Sequence, residues 1–315
     1  MRIVFMGTPD FAVPTLEALI ESRHEIVGVY TQPDRESGRG KKIIYSPVKE
    51  CALSHNIPVY QPKGLRKESV FEELKSLRAD AIVVVAYGVI LRKNVLELTR
   101  YGCFNVHGSL LPAYRGAAPI QWTILNGEKE TGVTVMKMDE GIDTGDILLQ
   151  EKIGILAEDT GDSLFEKLSR LGGPLLLKAL DMAEAGTLQP VKQGESPTAY
   201  AVMLDKKMGN LDFNMDARVL ERYVRGLNSW PSAYFFMNGK MFKVHKAAVA
   251  EGKPEAAPGE IIYVKKNSFS IQCGIDALEI LEIQPEGKKK MDTGAFLRGF
   301  SLTEGMRTDL QGKDF

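Results

Sequence analysis

Ala79-Asp80-Ala81-Ile82-Val83-Val84-Val85-Ala86 is the stretch on which the fold turns. A short apolar run, rich in β-branched residues and without alternation, is a strand covered on both faces. Such strands belong to parallel sheets flanked by helices. Working outward, Ile3 to Met6 repeats the pattern and ends at Gly7. Glu25 to Thr31, Gly102 to Val106 and Thr131 to Met138 are further strands. Helical signals lie between and after them. Phe11, Leu16, Leu19 and Ile20 recur at helical spacing, and Ser46-Pro47 supplies an N-cap with proline at the first helical position. Leu164, Leu168, Leu171, Leu175, Leu176 and Leu180 form a stripe running to about Ala185. Strands alternating with helices predict an α/β fold, a doubly wound Rossmann-like parallel sheet over residues 1–189.

Residues 190–207 are polar, include Pro190 and Pro197, and read as a linker. Over 208–315 the texture changes. Asp216 caps a helix reaching Leu227, and short alternating strands follow at Tyr234 to Phe236, Met241-Phe242, Ile261 to Val264, Phe269 to Cys273 and Leu278 to Ile280. Asn238-Gly239 between the first two is a hairpin signal. The set predicts a smaller C-terminal β-barrel domain of the OB-like kind.

A chain of 315 residues is long for one core and comfortable for two. Its 44% apolar and 26% charged content is that of an ordinary globular protein. A net charge of -1 argues against a general nucleic-acid coat but leaves room for a local basic surface. From Met208 onward, basic and acidic residues nearly balance. Cys51, Cys103 and Cys273 offer neither a disulfide framework nor a metal-type pair, so a reducing cytoplasm is the expected setting. The opening apolar run is too short for the core of a secretory leader. No apolar stretch approaches the roughly 20 residues that span a bilayer, so no membrane partner is expected.

The polar residues that stand out lie at strand ends, where open α/β sheets keep their ligands. Asn105-Val106-His107-Gly108-Ser109-Leu110-Leu111-Pro112 closes one strand, and Gly141-Ile142-Asp143-Thr144-Gly145-Asp146 follows another. In extended backbone Asn105 and His107 share a face. A neutral amide donor beside a titratable imidazole is what a developing oxyanion requires. A lone histidine is more often a structural one bonded to a loop carbonyl, and Asp143 between glycines is as readily an Asx-turn residue. Asp139 and Asp146 compete with Asp143 for any acid–base role. Gly7-Thr8-Pro9-Asp10-Phe11 lacks two glycines of a dinucleotide-binding loop, and Pro9 removes a donor, which argues against a nicotinamide enzyme. The loop 32–47 carries Arg35, Arg39, Lys41 and Lys42 around Gly38 and Gly40. It is either a solvated loop or a basic arm for phosphates. Lys288-Lys289-Lys290 reads as a solvated turn. No ligand cluster suggests a metal, and none is expected.

Taken in order, these motifs resemble the 10-formyltetrahydrofolate formyltransferase superfamily. Asn105-Val106-His107-Gly108-Ser109-Leu110-Leu111-Pro112 with the downstream Asp143 carries the likeness. Gly7-Thr8-Pro9-Asp10-Phe11, Gly38-Arg39-Gly40-Lys41-Lys42, Ser46-Pro47-Val48-Lys49 and Arg115-Gly116-Ala117-Ala118-Pro119-Ile120-Gln121 narrow it to the branch that formylates methionyl-tRNA. The likeness runs nearly end to end. It implies formyl transfer from 10-formyltetrahydrofolate to the α-amino group of methionine on initiator tRNA, by a monomeric enzyme. Asn105 would donate to the tetrahedral oxyanion. His107, in its protonated form, would be a second donor and protonate the leaving folate nitrogen. Asp143, directly or through a water, would accept the amine's proton. The folate would lie against Ser109, Leu110, Leu111 and Pro112 and the strand end at Tyr87, Gly88, Val89 and Ile90. The tRNA would meet Arg39, Lys41 and Lys42, with Lys206 and Lys207 near the linker and the second domain behind.

Two sets of relatives share much of the pattern. Formyltransferases of amino-sugar nucleotides have a similar two-domain layout, and the basic arm counts against them. The phosphoribosylglycinamide enzyme lacks the second domain. A non-catalytic RNA-binding protein is the reading from another class, and the coincidence of Asn105, His107 and Asp143 counts against it.

Overall fold

The computed structural model describes residues 1–37 and 42–309. The expected tRNA contacts Arg39 and Lys41 lie outside them, as does the side chain of Lys42. The chain divides into two compact units. One is built from Met1–Pro119, Glu130–Gly154 and Phe165–Ala201, the other from Ile120–Lys129, Ile155–Leu164 and the chain from Val202 onward.

As far as residue 184 the elements run β1 (Arg2–Gly7), α1 (Val13–Ile20), β2 (Glu25–Tyr30), a hairpin of β3 (Arg35–Ser37) and β4 (Lys42–Ile44), α2 (Pro47–Ser54), β5 (Val59–Tyr60), α3 (Glu68–Ser76) and β6 (Ala81–Val85). Then come α4 (Lys93–Leu96), β7 (Cys103–His107), α5 (Pro119–Leu125), β8 (Glu130–Lys137), β9 (Ile147–Gly154) and α6 (Gly161–Glu184). All five residues of β6 are buried, and Ile3 to Met6 of β1 are fully so. Each such aliphatic side chain contributes roughly 1.5–3 kcal/mol by leaving water. Ser46 caps α2 as its sequence predicts, its Oγ accepting from Lys49 N at 3.1 Å.

The sheet has seven strands in the order β5-β2-β1-β6-β7-β8-β9. The first five are parallel. β8 is antiparallel to both β7 and β9, so the expected Rossmann-like parallel sheet is present but extended at one side by antiparallel strands. The cause at the β8–β9 end is local. Residues 138–146 are too few for a crossover, which needs about a dozen or more, so the chain turns straight back.

The order of the parallel strands reverses at β1 and β6, where sheets of this kind open a crevice at their carboxyl ends. Three strand ends are tied together there. Thr8 Oγ1 and Gln32 Nε2 each donate to the Tyr87 carbonyl at 3.2 Å. Gly7 pairs with Val85 and Val84 with Asn105, so the end of β7 stands at this same carboxyl edge.

In the second unit a 3-10 turn (Lys206–Gly209) precedes α7 (Ala217–Gly226), β10 (Ala233–Met237), β11 (Lys240–Ala250), β12 (Ile261–Val264), β13 (Phe269–Gln272), β14 (Ala277–Pro285), β15 (Met291–Asp292) and α8 (Thr293–Gly299). Asn238 and Gly239 have φ of 52° and 71°, the left-handed pair that a two-residue hairpin needs. The strands form an antiparallel sheet in the order β10-β11-β14-β13-β12, with β15 on β14. Phe235, Phe242, Phe269 and Phe296 are central to its core. Among the described residues the sheet is open, and the expected OB-like barrel is seen only as this antiparallel sheet. Passing chain covers its edges instead. Leu211 N and Asp309 N bond to carbonyls of β10, and Ile261 N of β12 bonds to Met306 O, each at 2.8 Å. Among the described residues no helix is long and apolar enough to cross a membrane.

Candidate active site

The period of two along β7 puts Asn105 and His107 on one face, with Met136 and Thr134 of β8 opposite them. Asp143 arrives at the same place from the β8–β9 turn. Its Oδ2 accepts from Gly116 N at 2.9 Å and stands 3.7 Å from His107 Nδ1, and its Oδ1 stands 3.5 Å from Asn105 Nδ2. The His107 side chain is 7% exposed and that of Asp143 15%, so the cluster is largely withdrawn from water. The three residues singled out in the sequence therefore converge. Asp139 takes the Asx-turn role instead, its Oδ1 accepting from Gly141 N and Thr144 Oγ1.

Backbone geometry aims these groups. Asp143 has a left-handed φ of 53°, which a short polar side chain tolerates better than most. Gly145 follows because a Cβ there would collide with the Lys137 carbonyl. Gly116 has a φ of 122°, and a Cβ on it would stand 2.7 Å from Ala201 O. His107 Nε2 lies 3.0 Å from the Tyr114 carbonyl. A carbonyl only accepts, so this contact assigns the hydrogen to Nε2, and Nδ1 is the nitrogen turned toward Asp143.

The loop after β7 is pinned from below. Thr134 Oγ1 donates to Ser109 O at 2.7 Å and accepts from Leu111 N at 3.1 Å, while Gln150 Nε2 donates to Leu111 O at 2.9 Å. Ser109, expected at the folate, is fully buried and donates to Ala113 O at 2.7 Å, so its hydroxyl holds the loop in shape. Leu111 is buried, and Leu110 and Pro112 are half-buried. On the other strand end Tyr87 is buried, Val89 half-buried, and Gly88 and Ile90 are exposed. Burial pushes the Tyr87 phenol up to about 12, so it stays a donor, and its oxygen has no hydrogen-bond partner among the described residues. Lys206 and Lys207 are exposed, on a turn whose amides at Lys207 and Met208 donate to Asp205 Oδ1. Among the described residues no group of three or more His, Cys, Asp or Glu side chains is gathered that could hold a metal ion.

Composition gives no sign of what residues 191–201 do. Val191 exchanges two backbone bonds with Ile147, each 2.8 Å. Gln193 Nε2 donates to Asp143 O at 2.9 Å and to Gly145 O at 2.6 Å. Thr198 Oγ1 accepts from Tyr114 N at 2.8 Å. Ala201 N donates to Arg115 O, and Ala201 O accepts from Ala117 N, each at 2.8 Å. The stretch is a strap across both loops that carry the site. No periodicity marks it, because it gives hydrogen bonds to loops and no face to a core.

Such a sheet, with an amide, an imidazole and a carboxylate meeting at its carboxyl edge, gathers polar groups where open α/β proteins keep their ligand sites. Residues 1–180 match the family described as Formyl transferase, and residues 203–301 match Formyl transferase, C-terminal domain. The chain belongs to the formyl transferase family. A methionyl-tRNA formyltransferase from Lachnospira eligens is 52% identical over 311 residues, covering 97% of this chain and 99% of that one. Among solved structures, the sugar 3N-formyl transferase WlaRD, in the presence of dTDP and 5-N-formyl-THF, shares the fold with a TM-score of 0.65 and 20% identity, covering 92% of this chain and 99% of its own. Phosphoribosylglycinamide formyltransferase from Bacillus halodurans has a TM-score of 0.50 and 27% identity, covering 59% of this chain and 97% of its own.

Proposed function

We propose that this protein transfers the formyl group of 10-formyltetrahydrofolate to the α-amino group of methionyl-tRNA, the initiator species. The observation that carries the reading is the Asp143 carboxylate, held by Gly116 N and set beside His107 and Asn105 at the carboxyl edge of the sheet. The folate supplies an activated formyl group. Asn105 Nδ2 donates to the formyl oxygen as it gains negative charge. His107 in its doubly protonated form is the second donor, through Nδ1 because Nε2 is held by Tyr114, and it delivers the Nδ1 proton to the departing nitrogen, leaving neutral imidazole. Asp143 takes the proton that the amine releases. An α-amino group near a pKa of about 7.7–8.0 is already a fair nucleophile at neutral pH, so positioning and electrostatics supply most of the catalysis.

In this reading the folate is held by Ser109 to Pro112 and by Tyr87 to Ile90. The buried Tyr87 hydroxyl, without a partner among the described residues, supports that placement, because a buried donor without an acceptor is costly. Arg39, Lys41, Lys42, Lys206 and Lys207 contact tRNA. The second unit, an OB-like domain in this reading, binds it too. The working species is a cytoplasmic monomer.

The 52% identity to a methionyl-tRNA formyltransferase over almost the whole of both chains favours this acceptor over a sugar nucleotide. The test supplies labelled formyl donor with methionyl-tRNA, an amino-sugar nucleotide or glycinamide ribonucleotide. Label is expected on the tRNA. Transfer to either small amine in its place would overturn the reading.

A further inference from the structure

We infer that Gln193 is a positioning residue for the reaction, joining the Asp143 turn and the Arg115–Gly116 loop into one piece. The inference rests on the catalytic reading of Asp143 above.

The carboxamide is used at both ends. Its Nε2 donates to the carbonyls of Asp143 (2.9 Å) and Gly145 (2.6 Å), which flank Thr144 in the turn. Its Oε1 accepts from Arg115 Nε (3.0 Å) and Nη2 (2.8 Å), and Nη2 also donates to Gly194 O at 3.0 Å. Arg115 is bonded through its backbone to Gly116, whose N–H holds the Asp143 carboxylate. A closed circuit results, running from Gln193 to the Asp143 backbone, to the Asp143 carboxylate, to Gly116, and through Arg115 back to Gln193.

The circuit has something to hold. Asp143 is non-glycine in the left-handed region, which its short polar side chain tolerates but does not by itself enforce. Released from Nε2, the turn would relax, and its carboxylate would swing away from His107 and Asn105. A side chain that presents two N–H donors and one carbonyl oxygen on a single plane is matched to this task. Glutamate has the acceptor without the donors, and methionine has neither.

The test is a kinetic cycle on the full-length protein. Gln193→Met is expected to lower kcat about 10- to 100-fold, the scale on which a displacement near 1 Å acts, with KM for formyl donor and for methionyl-tRNA nearly unchanged. Gln193→Glu, which keeps the acceptor for Arg115 and loses both donations, is expected to fall equally. It also stands in if the methionine variant does not fold. In an Asp143→Asn background the same Gln193 substitutions are expected to cost less than about twofold further, because residues acting as a unit are not additive. Equal losses in both backgrounds, or losses seen only in KM, would overturn the positioning role while Asp143 keeps its own. Near-normal turnover of Asp143→Asn would instead remove the catalytic reading, and the inference with it.

Discussion

At the scale of single residues, Asp143 is the meeting point. Its two oxygens face a backbone N–H, an imidazole and a carboxamide. Asn105→Ala, His107→Ala and Asp143→Ala are each expected to cut kcat by about 10²-fold or more, the usual scale for an oxyanion donor or acid–base group. Rapid-quench single turnovers with labelled donor measure this. Thermal unfolding of the same proteins separates catalysis from support: a midpoint collapse in Asp143→Ala would return that residue to a turn-shaping role. Asn105 and His107 are legible in the sequence because a strand's period of two puts them on one face. Asp143 is legible as a residue type, but its contact is not, since nothing local fixes where a turn 38 residues away will land. Gly116 N and the Tyr114 carbonyl were out of reach altogether, being backbone groups that every residue has.

At the scale of elements, α2 is the segment whose start is most plainly written. Ser46 Oγ accepts from Lys49 N and also lies 2.7 Å from Thr31 Oγ1, so the cap fastens the helix to the end of β2. Ser46→Ala is expected to cost about 1 kcal/mol. For a unit of this size that lowers the thermal midpoint by about 2–4 °C, readable by calorimetry. A second expectation concerns the basic stretch before α2. Replacing Arg39, Lys41 and Lys42 together with alanine should weaken tRNA binding and flatten its dependence on salt. The slope of log K should drop by about 0.7–0.9 for each phosphate left without its cation, with folate affinity nearly constant. Filter binding across a salt series checks it, and an unchanged slope would free the arm of that duty. The buried strands were legible from their unbroken apolar runs. β9 was not, because its middle residues Gln150, Glu151 and Lys152 are exposed on an edge strand and give no apolar pattern. Missing β9 hid the antiparallel end of the sheet.

At the scale of the whole molecule, acid acts on both units. Burial, helped by the Met1 ammonium and Arg23, holds His24 below the ordinary histidine value. Burial, with Lys290 and Lys243, does the same to His245. A lowered folded-state pKa means that the unfolded chain binds more protons. The stabilisation is full above the unfolded value of about 6.5 and is lost progressively as pH falls from there toward the folded value. Calorimetric midpoints should therefore drop as pH falls below about 6.5, and His24→Asn with His245→Asn should flatten that drop. Asp34, held low by Lys49 and Gln61, and Glu279, held low by Ser268 and Lys265, add a further loss nearer pH 4. The change of texture near residue 208 made two units legible. Their membership was not, because Ile120–Lys129 and Ile155–Leu164 join the later chain through packing that no linear boundary expresses.

The strap has a consequence in time. The sheet of the first unit has all its strands once Gly154 has been made, but the site they carry is not fastened until Ala201 has followed. At synthesis rates of about 5–20 residues per second that is an interval of roughly two to ten seconds. A nascent chain stalled within it would carry Asn105, His107 and Asp143 on a sheet with all its strands, and the turn that bears Asp143 would still be waiting for the segment that ties it down.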